Sequence, residues 1–141
     1  MYCKKCPDDE EGQFFLGDAY KYGIGTAVDY DKAIQCYKKA PNDSITLFKL
    51  GLCFLEKGNP DKAYLNIKKA AELEHSEAMY YLSLFYKQGV VVNQNDEKAD
   101  DWYNRAIEAG YEPDEENYEA NNSLGSVLGK AAKKFLDWLS D

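Results

Sequence analysis

Residues 16–40 read LGDAYKYGIGTAVDYDKAIQCYKKA, and the same pattern returns twice further along the chain. It returns as LGLCFLEKGNPDKAYLNIKKA at 50–70 and as LSLFYKQGVVVNQNDEKADDWYNRA at 82–106. The starts of the three units are 34 and then 32 residues apart. A repeat period of this length predicts stacked helix pairs, because a single pair cannot bury its apolar faces alone.

Each unit predicts two helices joined by a turn that contains glycine. Apolar residues recur at intervals of three and four, which is the period of an amphipathic helix, and no segment alternates long enough to form a strand. The prolines lie at predicted helix boundaries, where they are tolerated. We therefore predict an all-α fold: a right-handed α-solenoid of three antiparallel helix pairs, followed by a C-terminal capping helix.

Glycines, prolines and capping residues set the predicted helix boundaries. Glycine ends the first helix of each pair, because it readily adopts the left-handed backbone that closes a helix. Asp43 or Ser44 is predicted to cap the third helix, Asn59 the fourth, with Pro60 at its first position, and Ser76 the fifth. The predicted helices span 11–22, 30–40, 45–57, 60–73, 77–88, 96–109 and 121–139.

The units divide the chain into three predicted parts. Residues 1–12 form a polar, flexible N-terminal segment, residues 13–110 hold the three repeats, and residues 111–141 hold a linker and the capping helix. The last helix is amphipathic and would cover the apolar end of the third unit, as a solenoid requires for solubility. Its lysines and Trp138 leave contact with a membrane surface as an alternative.

Charge and composition narrow the class of partner. The chain has 141 residues, a net charge of −8 and 45% hydrophobic residues, so it is expected to fold and to be repelled by nucleic acid and by anionic lipid. The acidic balance fits a basic or apolar protein partner, but it also simply favours solubility. No apolar run approaches the roughly 20 residues of a membrane span. We predict a cytoplasmic, monomeric protein that binds neither nucleic acid nor membrane.

The four cysteines carry no strong signal of their own. Cys3 and Cys6 form a CxxC motif, but no second pair of metal ligands accompanies it at close spacing. Incidental thiols in the terminal segment are one interpretation, and a thiol or metal role is the other. Cys36 and Cys53 fall within predicted helices and are interpreted as reduced core residues, with a bridge between them as the alternative.

Nothing in the sequence indicates catalysis. The single histidine, His75, is predicted to lie in a surface turn between two helices. The Gly23-Ile24-Gly25 segment follows a helix rather than a strand, so it is not a phosphate-binding loop. No nucleophile and base are paired by spacing. We predict that the protein is not an enzyme, has no catalytic or metal-binding residues, and needs no cofactor.

The three units resemble Sel-one-like repeats, which are close relatives of tetratricopeptide repeats. The resemblance covers about residues 11–110. The third unit has Ser83 where glycine is usual, and the second has a turn five residues shorter than the first, which makes it similar to a plain tetratricopeptide repeat. The first unit carries the pattern in Leu16-Gly17, Tyr20, Gly23-Ile24-Gly25, Asp29, Lys32-Ala33, Tyr37 and Lys39-Ala40.

Small residues in the pattern are interpreted as structural. Gly17 and Gly51 are expected where the two helices of a pair come closest, since a side chain there would push them apart. Ala33, Ala63 and Ala99 are expected to face them from the second helix. The aromatic residues expected to fill the space beside them are Tyr20, Phe54 and Tyr86.

The resemblance implies that the first helix of each pair lines a concave face. Equivalent positions in the three units hold Phe14, Phe48 and Tyr80, which would form an aromatic row across the repeats. Such a row would suit an extended peptide or a partner helix. The alternative is that these side chains pack against neighbouring helices or the C-terminal helix. The predicted partner-binding residues are Phe14, Asp18, Lys21, Phe48, Leu52, Leu55, Tyr80, Leu84 and Lys87, with Ile45 and Glu77 on the same face.

The predicted function is a protein–protein interaction module, an adaptor or scaffold, that binds a peptide or a partner protein on its concave face. A narrower alternative is a bacterial immunity or inhibitor protein that neutralises one cognate toxin by charge and shape. The resemblance permits this alternative, because such repeats occur in bacterial interaction proteins.

Overall fold

Six α-helices in a row make up the part of the chain that the computed structural model describes, residues 9–112. Every predicted helix boundary in this range lies within one residue of the observed boundary. The predictions for Cys3, Cys6 and the C-terminal capping helix lie outside the described residues. The helices are α1 (Glu10–Tyr22), α2 (Tyr30–Lys39), α3 (Ser44–Glu56), α4 (Pro60–Glu72), α5 (Ser76–Gln88) and α6 (Asp96–Glu108).

The first helix begins inside the segment predicted to be flexible. Asp9 is its N-cap, and the Asp9 carboxylate accepts a hydrogen bond of 3.2 Å from the backbone N–H of Glu11. Because this bond satisfies one of the free N–H groups at the helix start, residues 10–12 are helical. Residues 10–12 of the predicted N-terminal segment therefore belong to α1.

Side-chain caps define four further helix starts. Asp29, Asp43, Asn59 and Asn95 each accept a hydrogen bond from the backbone N–H three residues later. These hydrogen bonds show that Asp43, and not Ser44, caps α3, and they confirm the predicted Asn59 cap of α4.

The start of α5 differs from its prediction. His75 occupies the N-cap position without a side-chain capping bond, and Ser76 is the first residue of the helix. The His75 ring instead packs on Phe48, with 4.8 Å between ring centroids. The prediction that Ser76 caps α5 is wrong, and His75 is partly buried rather than a free surface residue.

The helices pack as three consecutive pairs: α1 with α2, α3 with α4, and α5 with α6. Side chains also join the first helices of successive pairs. Asp18 of α1 is paired with Lys49 of α3, and Phe48 of α3 packs edge-on against Tyr81 of α5 at 5.2 Å between centroids. We call the side formed by α1, α3 and α5 the first-helix side. This arrangement is an all-α helical-repeat solenoid.

Glycine sets how closely the two helices of a pair approach. A Cβ added at Gly17 would lie 2.7 Å from the Tyr37 ring, and one added at Gly51 would lie 2.5 Å from Cγ1 of Ile67. Such contacts are too short for real carbon atoms, so both positions require glycine, as predicted. In the third pair the equivalent residue is Ser83, which is buried and whose hydroxyl donates to the Tyr80 carbonyl.

The core runs continuously through the three pairs. Ala33, Ala63 and Ala99 are all buried, and the backbone of Ala63 lies beside Gly51, as predicted for that pair. Cys36 and Cys53 are buried and not bridged to each other, in agreement with their interpretation as core residues.

We predict that Gly51→Ala destabilises the protein by about 1–3 kcal/mol, because the new methyl group would overlap Ile67, which is fully buried. Glycine-to-alanine changes within helices ordinarily stabilise, so the sign of the effect identifies the steric contact. Denaturant unfolding of Gly51→Ala, Ile67→Ala and the double variant measures it. The double variant should lose less stability than the two single variants together. An unchanged or raised stability of Gly51→Ala would contradict the proposed contact.

We predict that the Cys53 thiol is inert in the native protein. Burial raises the pKa of Cys53 from 9.0 to about 12, so almost none of it is thiolate at about pH 8. The folded form keeps its proton above pH 9 while the unfolded form loses it, so this thiol also lowers stability as pH rises through that range. A Cys3→Ser/Cys6→Ser/Cys36→Ser variant should react with Ellman's reagent only as fast as it unfolds. Reaction at the rate seen in concentrated guanidinium chloride would refute this.

Candidate protein-interaction surface

Four of the nine predicted partner-binding residues lie in the core. Phe48, Leu55, Tyr80 and Leu84 are each at most 5% exposed. Phe48 packs against the next pair, as described above, and the Tyr80 ring stacks on Tyr111 with 4.5 Å between centroids. These four side chains therefore have the packing role that was the alternative to partner contact. Phe48 joins successive repeats, whereas Tyr80 packs within the third repeat, and all four side chains are withdrawn from solvent.

The other five predicted residues keep some contact with solvent. Phe14, Asp18, Lys21 and Leu52 are partly buried, and Lys87 is exposed. Phe14 and Leu52 rest against the core cluster. In the predicted aromatic row, Phe14 is therefore partly accessible, whereas Phe48 and Tyr80 are buried.

Asp18 joins three helices. Its carboxylate accepts a hydrogen bond from the Tyr37 hydroxyl of α2 and pairs with the Lys49 ammonium group of α3 at 2.8 Å. The Asp18 and Lys49 side chains are each 20% exposed. The Lys49 Nζ also lies 4.8 Å from the centroid of the Phe14 ring and 5.4 Å from that of Tyr22. Asp18, which was predicted to bind a partner, therefore has a structural role in the described chain: it fixes α1 against α2 and α3.

The proton of this cluster stays on the tyrosine. Burial, followed by the hydrogen bond to the Asp18 carboxylate, raises the pKa of Tyr37 far above its ordinary value of 10.0. Tyr37 therefore remains a hydrogen-bond donor to Asp18 throughout the physiological pH range.

Lys49 was not among the predicted site residues. The available signal was that it is the single lysine within the apolar run of α3, which indicates a partly buried ion partner.

A groove lies between the first turns of α1 and α3, with a volume of about 290 Å³. We call it the acidic groove. Two large apolar side chains are open to solvent there: Phe15 is 56% exposed and Ile45 is 48% exposed. The carboxylates that line it are Glu11 and Asp43, and the remaining lining residues are Phe14 and Pro41.

Ile45 was predicted to lie on this face, whereas Phe15 was not predicted. The Phe14-Phe15 pair was the available signal, because adjacent helical residues point about 100° apart and cannot both face the same core. In the structure Phe14 turns towards Tyr37, with 5.9 Å between ring centroids, and Phe15 remains outside.

Two other classes of site are absent from the described residues. Between residues 9 and 112, no group of three or more His, Cys, Asp or Glu side chains could hold a metal ion. None of the helices in that range combines the length and apolar character needed to cross a bilayer.

Burial lowers the pKa of His75 below 6.5, so this partly buried ring is mainly neutral at pH 7.

Comparisons with known proteins agree with the repeat architecture. A family model for the Sel1 repeat matches residues 10–40, 46–75 and 76–111. An uncharacterised Sel1-like repeat-containing protein of Schizosaccharomyces pombe is 34% identical over 77 residues, which cover 52% of this chain and 12% of that protein.

Two solved structures are similar as well. One is c5321, a protective antigen of uropathogenic Escherichia coli with an SLR fold, at 33% identity and a TM-score of 0.67, covering 93% of this chain and 29% of that chain. The other is a Sel1 repeat protein from Oxalobacter formigenes, at 30% identity and a TM-score of 0.66, covering 77% of this chain and 47% of that chain. The chain thus spans less than half the length of each of these relatives.

Sel1 repeat proteins are generally scaffolds that bind protein partners, and they are typically not enzymes. The six described helices form three pairs, and the first two pairs have a close helix contact at glycine. With three family-model matches in succession and two similar solved structures, this chain belongs to the Sel1 repeat family.

Proposed function

We propose that this chain is an interaction scaffold that binds a peptide segment of a partner protein on its first-helix side, with the acidic groove as the anchor. The observation that carries the proposal is the exposure of Phe15 and Ile45 within one groove. Covering two large apolar side chains removes them from water, which stabilises a complex by about 25 cal/mol per Å² of apolar surface. An aromatic anchor in a groove is also a frequent feature of binding hot spots.

The groove's composition defines the chemistry of the partner segment. Phe15 and Ile45 suit an apolar side chain, whereas Glu11 and Asp43 suit a lysine or arginine beside it. The net charge of −8 adds a long-range attraction for a basic segment and would speed its association. We therefore expect a partner sequence in which an apolar residue adjoins a basic one.

The remaining predicted residues would extend this contact. Lys21, Leu52 and Lys87 lie on α1, α3 and α5 and are partly or fully accessible. They offer an aliphatic contact and two cations beyond the groove, so a longer segment could continue along the first-helix side.

Three narrower predictions are unchanged by the described surface. The acidic groove does not discriminate between a general scaffold and an immunity protein, so the immunity alternative stays a prediction. The cytoplasmic location and the monomeric state also stay predictions.

A peptide library displayed on phage tests the proposal directly. Selection on the full chain should enrich an apolar residue next to lysine or arginine. The Phe15→Ser/Ile45→Ser variant should bind the selected peptide at least about tenfold more weakly, because both apolar contacts are lost. The control is Ile24→Ser/Val28→Ser, since these side chains are 56% and 50% exposed but lie in the α1–α2 turn. This control should bind like the wild type.

The variant Glu11→Gln/Asp43→Asn tests whether the two carboxylates of the acidic groove attract a basic residue of the peptide. Asparagine caps helices as well as aspartate does, so the α3 start is preserved while both charges are removed. The variant should bind the selected peptide more weakly and with less dependence on salt. Selection of no apolar–basic pattern, or equal binding by Phe15→Ser/Ile45→Ser and its control, would rule out the acidic groove as the anchor.

A further inference from the structure

A second groove lies between α2 and α4, over α3, with a volume of about 340 Å³. We call it the basic groove. Apolar residues of α3, among them Leu50 and Phe54, line it at depth. Three lysines stand around them: Lys38 of α2, and Lys62 and Lys69 of α4. No predicted partner-binding residue belongs to this groove.

The charge of this groove is opposite to that of the whole chain. No carboxylate is among its described lining residues, although the chain carries a net charge of −8. The ammonium groups of Lys38 and Lys62 lie 6.0 and 5.7 Å from the centroid of the same Phe54 ring. Among residues 9–112 the lysines in salt bridges are Lys49 and Lys57, both elsewhere. The three groove lysines therefore form a local positive site that an anion would neutralise.

An exposed leucine completes the groove. Leu65 lines it and is 54% exposed. Leu65 follows Lys62 by three residues and precedes Lys69 by four, so the three side chains share one face of α4. An apolar side chain placed against Leu65 and Phe54 would thus have a cation on each side along the helix.

We propose that the basic groove binds an acidic peptide segment of a partner protein. An apolar side chain of the segment rests on Leu65 and the Phe54 edge, and flanking Asp or Glu residues pair with Lys38, Lys62 and Lys69. The apolar floor distinguishes this ligand from a bare phosphate, which would gain nothing from it. The acidic charge of the rest of the chain opposes a long polyanion such as duplex DNA, whereas a short acidic segment needs only the groove.

The α2–α3 loop separates the two grooves. Pro41 and Asp43 line the acidic groove, whereas Ala40 and Asn42 line the basic groove. Neighbouring residues of this loop thus contribute to different grooves, and the Asp43 N–H closes the loop tightly by donating to the Pro41 carbonyl at 2.9 Å. The inference goes beyond the proposed function, because it gives the scaffold a second site with the opposite charge preference.

Fluorescence anisotropy on the full chain tests the proposal. The probe is a labelled peptide with one leucine among aspartates and glutamates, and its control has asparagine and glutamine instead. The wild type should bind the acidic peptide, more weakly as salt rises, and not the neutral one. Lys38→Gln/Lys62→Gln/Lys69→Gln should bind at least about tenfold more weakly. Lys32→Gln/Lys57→Gln/Lys98→Gln removes the same charge from lysines outside the groove and should bind within about twofold of the wild type.

A second pair of variants tests the apolar contact. Leu65→Ser should weaken binding several-fold, whereas Leu73→Ser, a leucine of α4's C-terminal cap that is 56% exposed, should not. Both leucines are too exposed for either change to unfold the protein, which circular dichroism would verify. Binding of the acidic peptide by Phe15→Ser/Ile45→Ser should be unchanged, so failure of this site is distinct from failure of the acidic groove.

Three results would overturn the proposal. The first is equal binding of the acidic and neutral peptides, or no binding of either. The second is an equal loss of affinity in the two lysine variants, which would show a general charge effect. The third is displacement of the peptide by inorganic phosphate or duplex DNA at concentrations where a second acidic peptide has no effect, which would assign the site to phosphate.

Discussion

Gly17 and Gly51 allow a large side chain of the second helix to lie directly against the backbone of the first, and much of the structure depends on this contact. In the first pair that side chain is Tyr37, whose position brings its hydroxyl to Asp18. Asp18 in turn holds Lys49 of the next pair. Gly17 is therefore important beyond its own pair. It lets Tyr37 reach Asp18, and Asp18 connects the first pair to the second through Lys49.

Packing of the helices uses residues that would otherwise be the obvious binding surface. Phe48 is buried against Tyr81 of the next pair, and Tyr80 is buried against Tyr103 and Tyr111 of its own repeat. Two grooves stay open, one between α1 and α3 and the other between α2 and α4. There, Phe15 and Ile45 are exposed beside carboxylates, and Leu65 is exposed among lysines. A scaffold of this size can thus offer two sites of opposite charge without giving up its core.

The sequence predicted the local features of the fold well, because they depend on neighbours along the chain. Helix boundaries and the Asn59 cap are of this kind, and the glycine contacts follow from the repeat pattern. The candidate site was predicted less well, because exposure depends on how one pair stacks on the next. Equivalent positions in three units placed Phe14 and Phe48 in one row, but stacking buries Phe48 and leaves Phe14 partly open. The basic groove combines lysines from α2 and α4, and no spacing along the chain indicates that they meet.

We propose that this one solenoid carries two grooves of opposite charge preference on the two sides of the α2–α3 loop. Heteronuclear NMR of the isotope-labelled full chain, titrated separately with an apolar–basic and an apolar–acidic peptide, distinguishes the two sites. We expect the basic peptide to shift the amide signals around Phe15 and Ile45, and the acidic peptide to shift those around Lys38 and Leu65. Two separate grooves would be ruled out if both peptides shifted the same signals, or if the shifted signals lay outside the grooves.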